Sequence, residues 1–146
     1  MGSMDDGALA WREQREQALR AHAAADERRR ADEAAEAARL VAWFAAEADR
    51  RGLRRERLMV QPYDGGGRYR SRLTGWYVDR ARSRAVDARG NFYLLGVPPS
   101  LRARLFGADP QPQPAPLTVG RGGRDGESVP LRELLSRRLA AGDDWP

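Results

Sequence analysis

The chain has 146 residues, and all 26 of its basic side chains are arginine; it contains no Cys, no Lys and one His. The missing cysteine excludes a disulfide framework and thiolate chemistry, and a lone His excludes metal sites built from His or Cys. The net charge of +5 is unevenly placed: residues 1–52 carry 9 Arg and 11 acids, whereas residues 53–104 carry 12 Arg and 4 acids. All-arginine usage fits a GC-rich coding bias, but a genome-wide bias does not segregate charge along one chain, so the middle segment reads as able to meet an anionic partner.

Residues 1–3, ahead of Met4, read as a cloning scar. Residues 8–51 then run 44 positions without Gly or Pro. They consist mostly of Ala, Arg, Glu, Asp and Gln, which favour helix, and a helix of that length spans about 66 Å at 1.5 Å per residue. Asp5 and Asp6 suit its positive end. Leu9, Trp11 and Leu19 give the first part a thin apolar edge. Between Arg20 and Arg39 no large apolar side chain occurs, so a leucine-zipper seam is absent. Ala37, Leu40, Val41, Phe44 and Ala48 then follow the spacing of one buried helical face, and this last third is expected to dock on a domain. A break at Ala23–Ala25 with Asp26 as a cap is the alternative to one continuous helix. Gly52 supplies the stop.

Residues 4–52 therefore form a helical arm, and residues 53–146 a small α+β domain. In that domain residues 58–63 read as a strand, 64–67 as a turn and 68–79 as a long strand, with Gly75 marking a bulge or kink. Residues 80–83 read as a connection, and residues 84–88 and 91–97 as a hairpin around Arg89 and Gly90. The expected sheet is a three- to four-stranded antiparallel meander. Residues 100–106 make a short helical turn. The prolines of residues 109–116 make a stiff surface connector. Residues 117–119 can add a strand, and residues 120–126 form a glycine-rich loop. Residues 130–141 form a short amphipathic helix with Leu131, Leu134, Leu135 and Leu139 on one side. The expected core lies between the sheet, Leu40/Val41/Phe44 and Leu131/Leu135/Leu139.

Four constellations bear on function. Arg68, Arg70 and Arg72, and again Arg80, Arg82 and Arg84, alternate at the strand period, so each trio points to one face of a strand. With Tyr69, Trp76, Tyr77 and Tyr93 nearby, such a face offers phosphate contacts and stacking platforms for bases; a solvated strand face with aromatics in the core gives the same pattern. The loop at 120–126 lacks the Gly-Lys-Ser/Thr end of a phosphate loop and carries Asp125 and Glu127, so it reads as a connector. His22 lies in the charged part of the helix and has no evident base or nucleophile to serve. The charged helix itself is supported by acid–Arg pairs of about 0.2–0.5 kcal/mol each, and 20 ordered residues without burial are unusual in isolation.

These residues point to a cytoplasmic, non-enzymatic interaction or assembly module that self-associates through its arm, with Trp11 and Leu19 as the candidate contacts. Antiparallel pairing would set acid-rich and Arg-rich parts of two arms side by side. The expected partner is a second copy or another helical protein. The first alternative is nucleic-acid binding by the arginine face, and a lesser one is a small Arg/Tyr-dependent nuclease toxin working by charge stabilisation. No cofactor and no metal are expected, and no apolar run reaches the roughly 18–20 residues of a membrane-spanning helix.

Overall fold

The computed structural model describes residues 3–120 and 128–145. The glycine-rich loop expected at 120–126 lies outside the described residues except for Gly120, as do Met1 and Gly2 of the expected scar. The chain divides into two units, Met1–Glu33 and Ala34–Pro146.

Helix α1, Ser3–Arg50, runs unbroken, with Asp5 and Asp6 in its first turn and Arg50 in its last. Met4 to Glu36 bury no side chain. In the second unit, Ala37, Leu40, Val41, Phe44, Ala45 and Ala48 are buried. The helix ends where Gly52 adopts φ 71. The Gly52 N–H donates to the Asp49 carbonyl and the Leu53 N–H to that of Ala48. This is the Schellman arrangement, and it also brings Leu53 against the apolar face it terminates.

Five strands follow: β1 Glu56–Pro62, β2 Tyr69–Tyr77, β3 Arg84–Asp87, β4 Phe92–Leu94 and β5 Gly96–Val97. The antiparallel meander holds through β1, β2, β3 and β4, but the expected strand at 91–97 is split. Its first part pairs antiparallel with β3 and its second part pairs parallel with β1, giving the order β4-β3-β2-β1-β5. Only Leu95 separates the two parts. Its N–H donates to Ser83 and its carbonyl accepts from the Gln61 N–H. The sheet therefore closes on itself, so the fold is α+β with a small closed, mostly antiparallel sheet.

Buried side chains gather in two clusters on opposite faces of the sheet. Leu58, Tyr77, Ala85, Tyr93 and Leu95 pack together on one. Trp76, Val78, Val86 and Phe92 join the α1 residues and Leu131, Leu135 and Leu139 on the other. The irregularity expected at Gly75 sits elsewhere, since the β1–β2 register shifts between Arg57 and Met59 opposite residues 71–73. There the Tyr77 hydroxyl accepts the Met59 N–H and the Ser71 hydroxyl donates to Leu58, replacing ladder bonds. Gly75 answers a different need: a Cβ there would lie 2.2 Å from the Val86 carbonyl oxygen.

The β3–β4 turn is built on Asp87. Its carboxylate accepts from the N–H groups of Arg89 and Asn91, the Asn91 side chain and the Tyr93 hydroxyl. After the sheet come α2 Leu101–Phe106, capped by Ser100, and the connector, which has no regular structure and is mostly exposed. Strand β6, Thr118–Gly120, pairs with a strand the sequence did not announce, β7 Ser128–Pro130, in a separate two-stranded sheet. Helix α3, Leu131–Ala141, ends at Gly142 and buries Leu131, Leu135, Arg138 and Leu139.

Candidate functional site

The first arginine trio meets the sequence expectation in part. Along β2, Tyr69 and Ser71 are buried while Arg70 and Arg72 are exposed, and Arg68 is exposed just before the strand. The Arg72 N–H donates to the Asp109 carboxylate at 2.7 Å, and its guanidinium lies 3.8 Å from the same group. Tyr69 turns its ring into the protein, and its hydroxyl accepts the Ser100 N–H. No ring face of Tyr69 is left for a base.

The second trio departs from the expectation. Arg80 and Arg82 lie in the turn between β2 and β3, so period-2 geometry does not apply to them. Arg82 has φ 56 and its guanidinium sits 5.3 Å above the Tyr77 ring. Arg84 opens β3 and is held 3.0 Å from Asp79. Asp79 organises this turn by also accepting from the Ser83 N–H and hydroxyl. Trp76, offered as a stacking platform, is fully buried. Its ring meets Phe44 edge-on at 5.9 Å, and its indole N–H donates to Leu53. Tyr93 is likewise buried, and its hydroxyl donates to Asp87. The aromatics near the arginines are core residues, which is the bland alternative the strand pattern allowed.

A cleft of roughly 900 Å³ opens between the Asp79–Arg84 turn, β6, β7 and α3. Arg138 stands in its wall, nearly buried. It donates to the carbonyls of Tyr77 and Gly142 and lies 4.7 Å from the Trp145 ring. Burial pulls its pKa below the ordinary arginine value, and Glu56 and Asp143 partly offset this. These contacts make Arg138 a staple between α3 and β2. The Ser83 hydroxyl in the same cleft is spent on Asp79.

The surface that sequence reasoning missed is α2. Its backbone is pinned over the start of β2: the Ala108 N–H donates to the Arg70 carbonyl. Gly107, at φ 84, is required there, because a Cβ would lie 2.5 Å from that oxygen. Helix α2 buries none of its residues. Leu101, Leu105 and Phe106 are all exposed, Phe106 at 81%. Arg102 and Arg104 flank them, and Arg68 and Arg70 lie on or beside the strand under the helix. Among the described residues none of these four arginines is in an ion pair. The signal was present as three large apolar residues in a short helical segment, but six residues are too few for periodicity to tell an exposed face from a buried one.

In the first unit, Trp11 and Leu19 are exposed at 60% and 61%, and the Arg15 guanidinium lies 5.4 Å from the Trp11 ring. His22 is exposed. Among the described residues no group of three or more His, Asp or Glu is gathered to hold a metal, and no helix is long and apolar enough to cross a membrane. Comparison with protein families, curated proteins and solved structures finds no match for this chain.

Proposed function

We propose that this protein is a non-enzymatic assembly or adaptor module that self-associates through the first part of α1. The observation that carries the reading is the exposure of that segment. Residues 4–36 bury no side chain, yet they include Leu9, Trp11 and Leu19. Helices in proteins owe most of their stability to the packing of an apolar face rather than to propensity. A partner that covers Trp11 and Leu19 gains roughly 1.5–3 kcal/mol for each fully buried side chain. Light scattering on the full chain and on a chain starting near Glu36 tests this. The full chain is expected above monomer mass at high micromolar concentration and the shortened one at monomer mass. Two monomers would defeat the reading.

The outward arginines of β2 favour a second reading, binding to nucleic acid. With Tyr69, Trp76 and Tyr93 occupied in the core, this reading rests on phosphate contacts alone. Its expected signature is affinity for random oligonucleotides that falls steeply with salt and shows no sequence preference.

A further inference from the structure

Helix α2 is turned with its apolar side outward. Leu101 and Leu105 lie about 40° apart around its axis, and Ala103 lies at least about 160° from both. Ala103 alone in the helix is half-buried, so its side meets the sheet and the leucines face water. Arg104 lies about 60° from Leu101 on one flank of this pair, and Arg102 about 60° from Leu105 on the other. Phe106 follows about 40° beyond Arg102. Leu101, Leu105 and Phe106 are all 60% exposed or more. They take no part in holding the helix, because main-chain groups do that: the Ala108 N–H donates to the Arg70 carbonyl and the Ser100 N–H to the Tyr69 hydroxyl. Single exposed apolar residues are ordinary, but three within six residues form a patch that calls for a partner. The surround is basic. The Arg70 guanidinium lies 3.5 Å from the Leu105 carbonyl, and Arg68 is exposed just before that strand. Residues 98–108 contain no acid, and Asp109 beyond them is taken up by Arg72.

We propose that the α2 face binds the surface of membranes rich in anionic phospholipid. Leu101, Leu105 and Phe106 enter the boundary between headgroups and acyl chains, and Arg68, Arg70, Arg102 and Arg104 meet the headgroup charge. Two features select a lipid surface. The apolar side chains stand out from a helix that buries none of its residues, rather than lining a groove, and a bilayer takes them up without a matching shape. Nucleic acid would satisfy the arginines through its phosphates but leave the two leucines and Phe106 in water. All these residues belong to the second unit, so membrane binding needs nothing from the arm and is independent of self-association.

The test is co-sedimentation of the full chain with vesicles of phosphatidylcholine alone and of phosphatidylcholine mixed with phosphatidylserine. Binding is expected to the mixed vesicles only, and to weaken as salt rises. An arginine near an anionic surface contributes roughly fivefold to the binding constant. Arg102→Gln/Arg104→Gln is therefore expected to weaken binding at least about tenfold. Leu105→Ser/Phe106→Ser leaves the charge unchanged and is expected to cost at least about tenfold as well. Arg54→Gln/Arg132→Gln removes the same charge from exposed side chains elsewhere in the unit and is expected to stay within about twofold of the unaltered chain. All the altered side chains are exposed, and circular dichroism checks that each variant keeps its fold. No binding to the mixed vesicles at low salt overturns the proposal, including the case in which α2 instead captures an acidic protein. So does full binding by Leu105→Ser/Phe106→Ser, or an equal loss in both arginine pairs, which would mark attraction by net charge alone. A monomeric chain that binds the mixed vesicles through α2 upholds this proposal while ending the self-association reading.

Discussion

Residues 37–48 of α1 bury Ala37, Leu40, Val41, Phe44, Ala45 and Ala48, whereas residues 4–36 of the same helix bury no side chain. Backbone geometry is the same in both segments, so the difference lies in what holds each one. The later segment is fixed by packing and closed by the Gly52 stop. The earlier segment relies on propensity and on local pairs such as Glu16–Arg20 and Asp26–Arg29, each with the acid N-terminal to the arginine. Such pairs contribute about 0.2–0.5 kcal/mol each. Even Glu47, half-buried near the helix end, follows local rules: hydrogen bonds from Arg50 and Arg51 outweigh its desolvation and hold its pKa at about 2. The comparison teaches that a side chain in the later segment is held by the fold, whereas one in the earlier segment is held only by its neighbours along the helix.

The largest effect is therefore expected at Phe44. It is fully buried and meets Trp76 edge-on. Phe44→Ala should destabilise the fold by about 3–5 kcal/mol. An unchanged denaturant midpoint would mean that the later segment is no better packed than the earlier one.

The spacing of Leu40, Val41 and Phe44 made that packing legible, because apolar residues repeating at helical spacing in an otherwise polar helix mark a face that must be covered. The β3–β4 hairpin, α3 and the proline connector were legible for similar local reasons. Closure of the sheet was not. Alternation in residues 91–97 signals a strand but does not name its partners, and the pairing of β5 with β1 joins Gln61 to Gly96 across 35 positions. Trp76 is buried because α1 and α3 cover its face of the sheet, and Tyr77 is buried in the cluster on the other face, so the half-exposed pattern fails there. The alternation of Arg80, Arg82 and Arg84 is not that of a strand, since Arg84 opens β3 and the other two lie in the turn before it.

A smaller loss, with a pH signature, is expected at Asp87. Burial pushes its carboxyl pKa up, but hydrogen bonds from the Asn91 backbone and side chain, Tyr93 and Arg89 outweigh burial and hold it below the usual carboxylate value. A depressed folded-state value stabilises the fold above the unfolded pKa of about 3.9 and ceases to do so as pH falls through the folded value. Asp87→Ala should cost roughly 1.5–3 kcal/mol near neutral pH. Asp87→Asn should flatten the acid limb of the stability profile below about pH 4. An acid limb as steep as that of the unaltered chain would assign the acid sensitivity elsewhere.

Gly52→Ala tests the stop rather than the packing. The site has φ 71 and space for a methyl group, so the expected cost is backbone strain alone, about 1–2 kcal/mol. Chemical denaturation measures it. No loss would show that the end of the docked segment is set by Leu53 and its neighbours without help from the turn.

The smallest effect on stability, and the most informative, is expected at Trp11. In the folded monomer Trp11→Ala removes a 60% exposed ring and its contact with Arg15. An exposed cation–π contact is worth about 0.5–1 kcal/mol, and alanine returns several tenths through its higher helix propensity. The two nearly cancel, so the denaturation midpoint should move by less than about 0.5 kcal/mol. This holds only where the monomer prevails, because association adds stability by mass action and makes the midpoint concentration-dependent. Unfolding should therefore be followed across a hundredfold range of protein concentration. The unaltered chain should gain stability as concentration rises, and Trp11→Ala should not. A loss above about 1 kcal/mol at the lowest concentration would instead make Trp11 part of the folded core, and the contrast between the two segments of α1 would disappear.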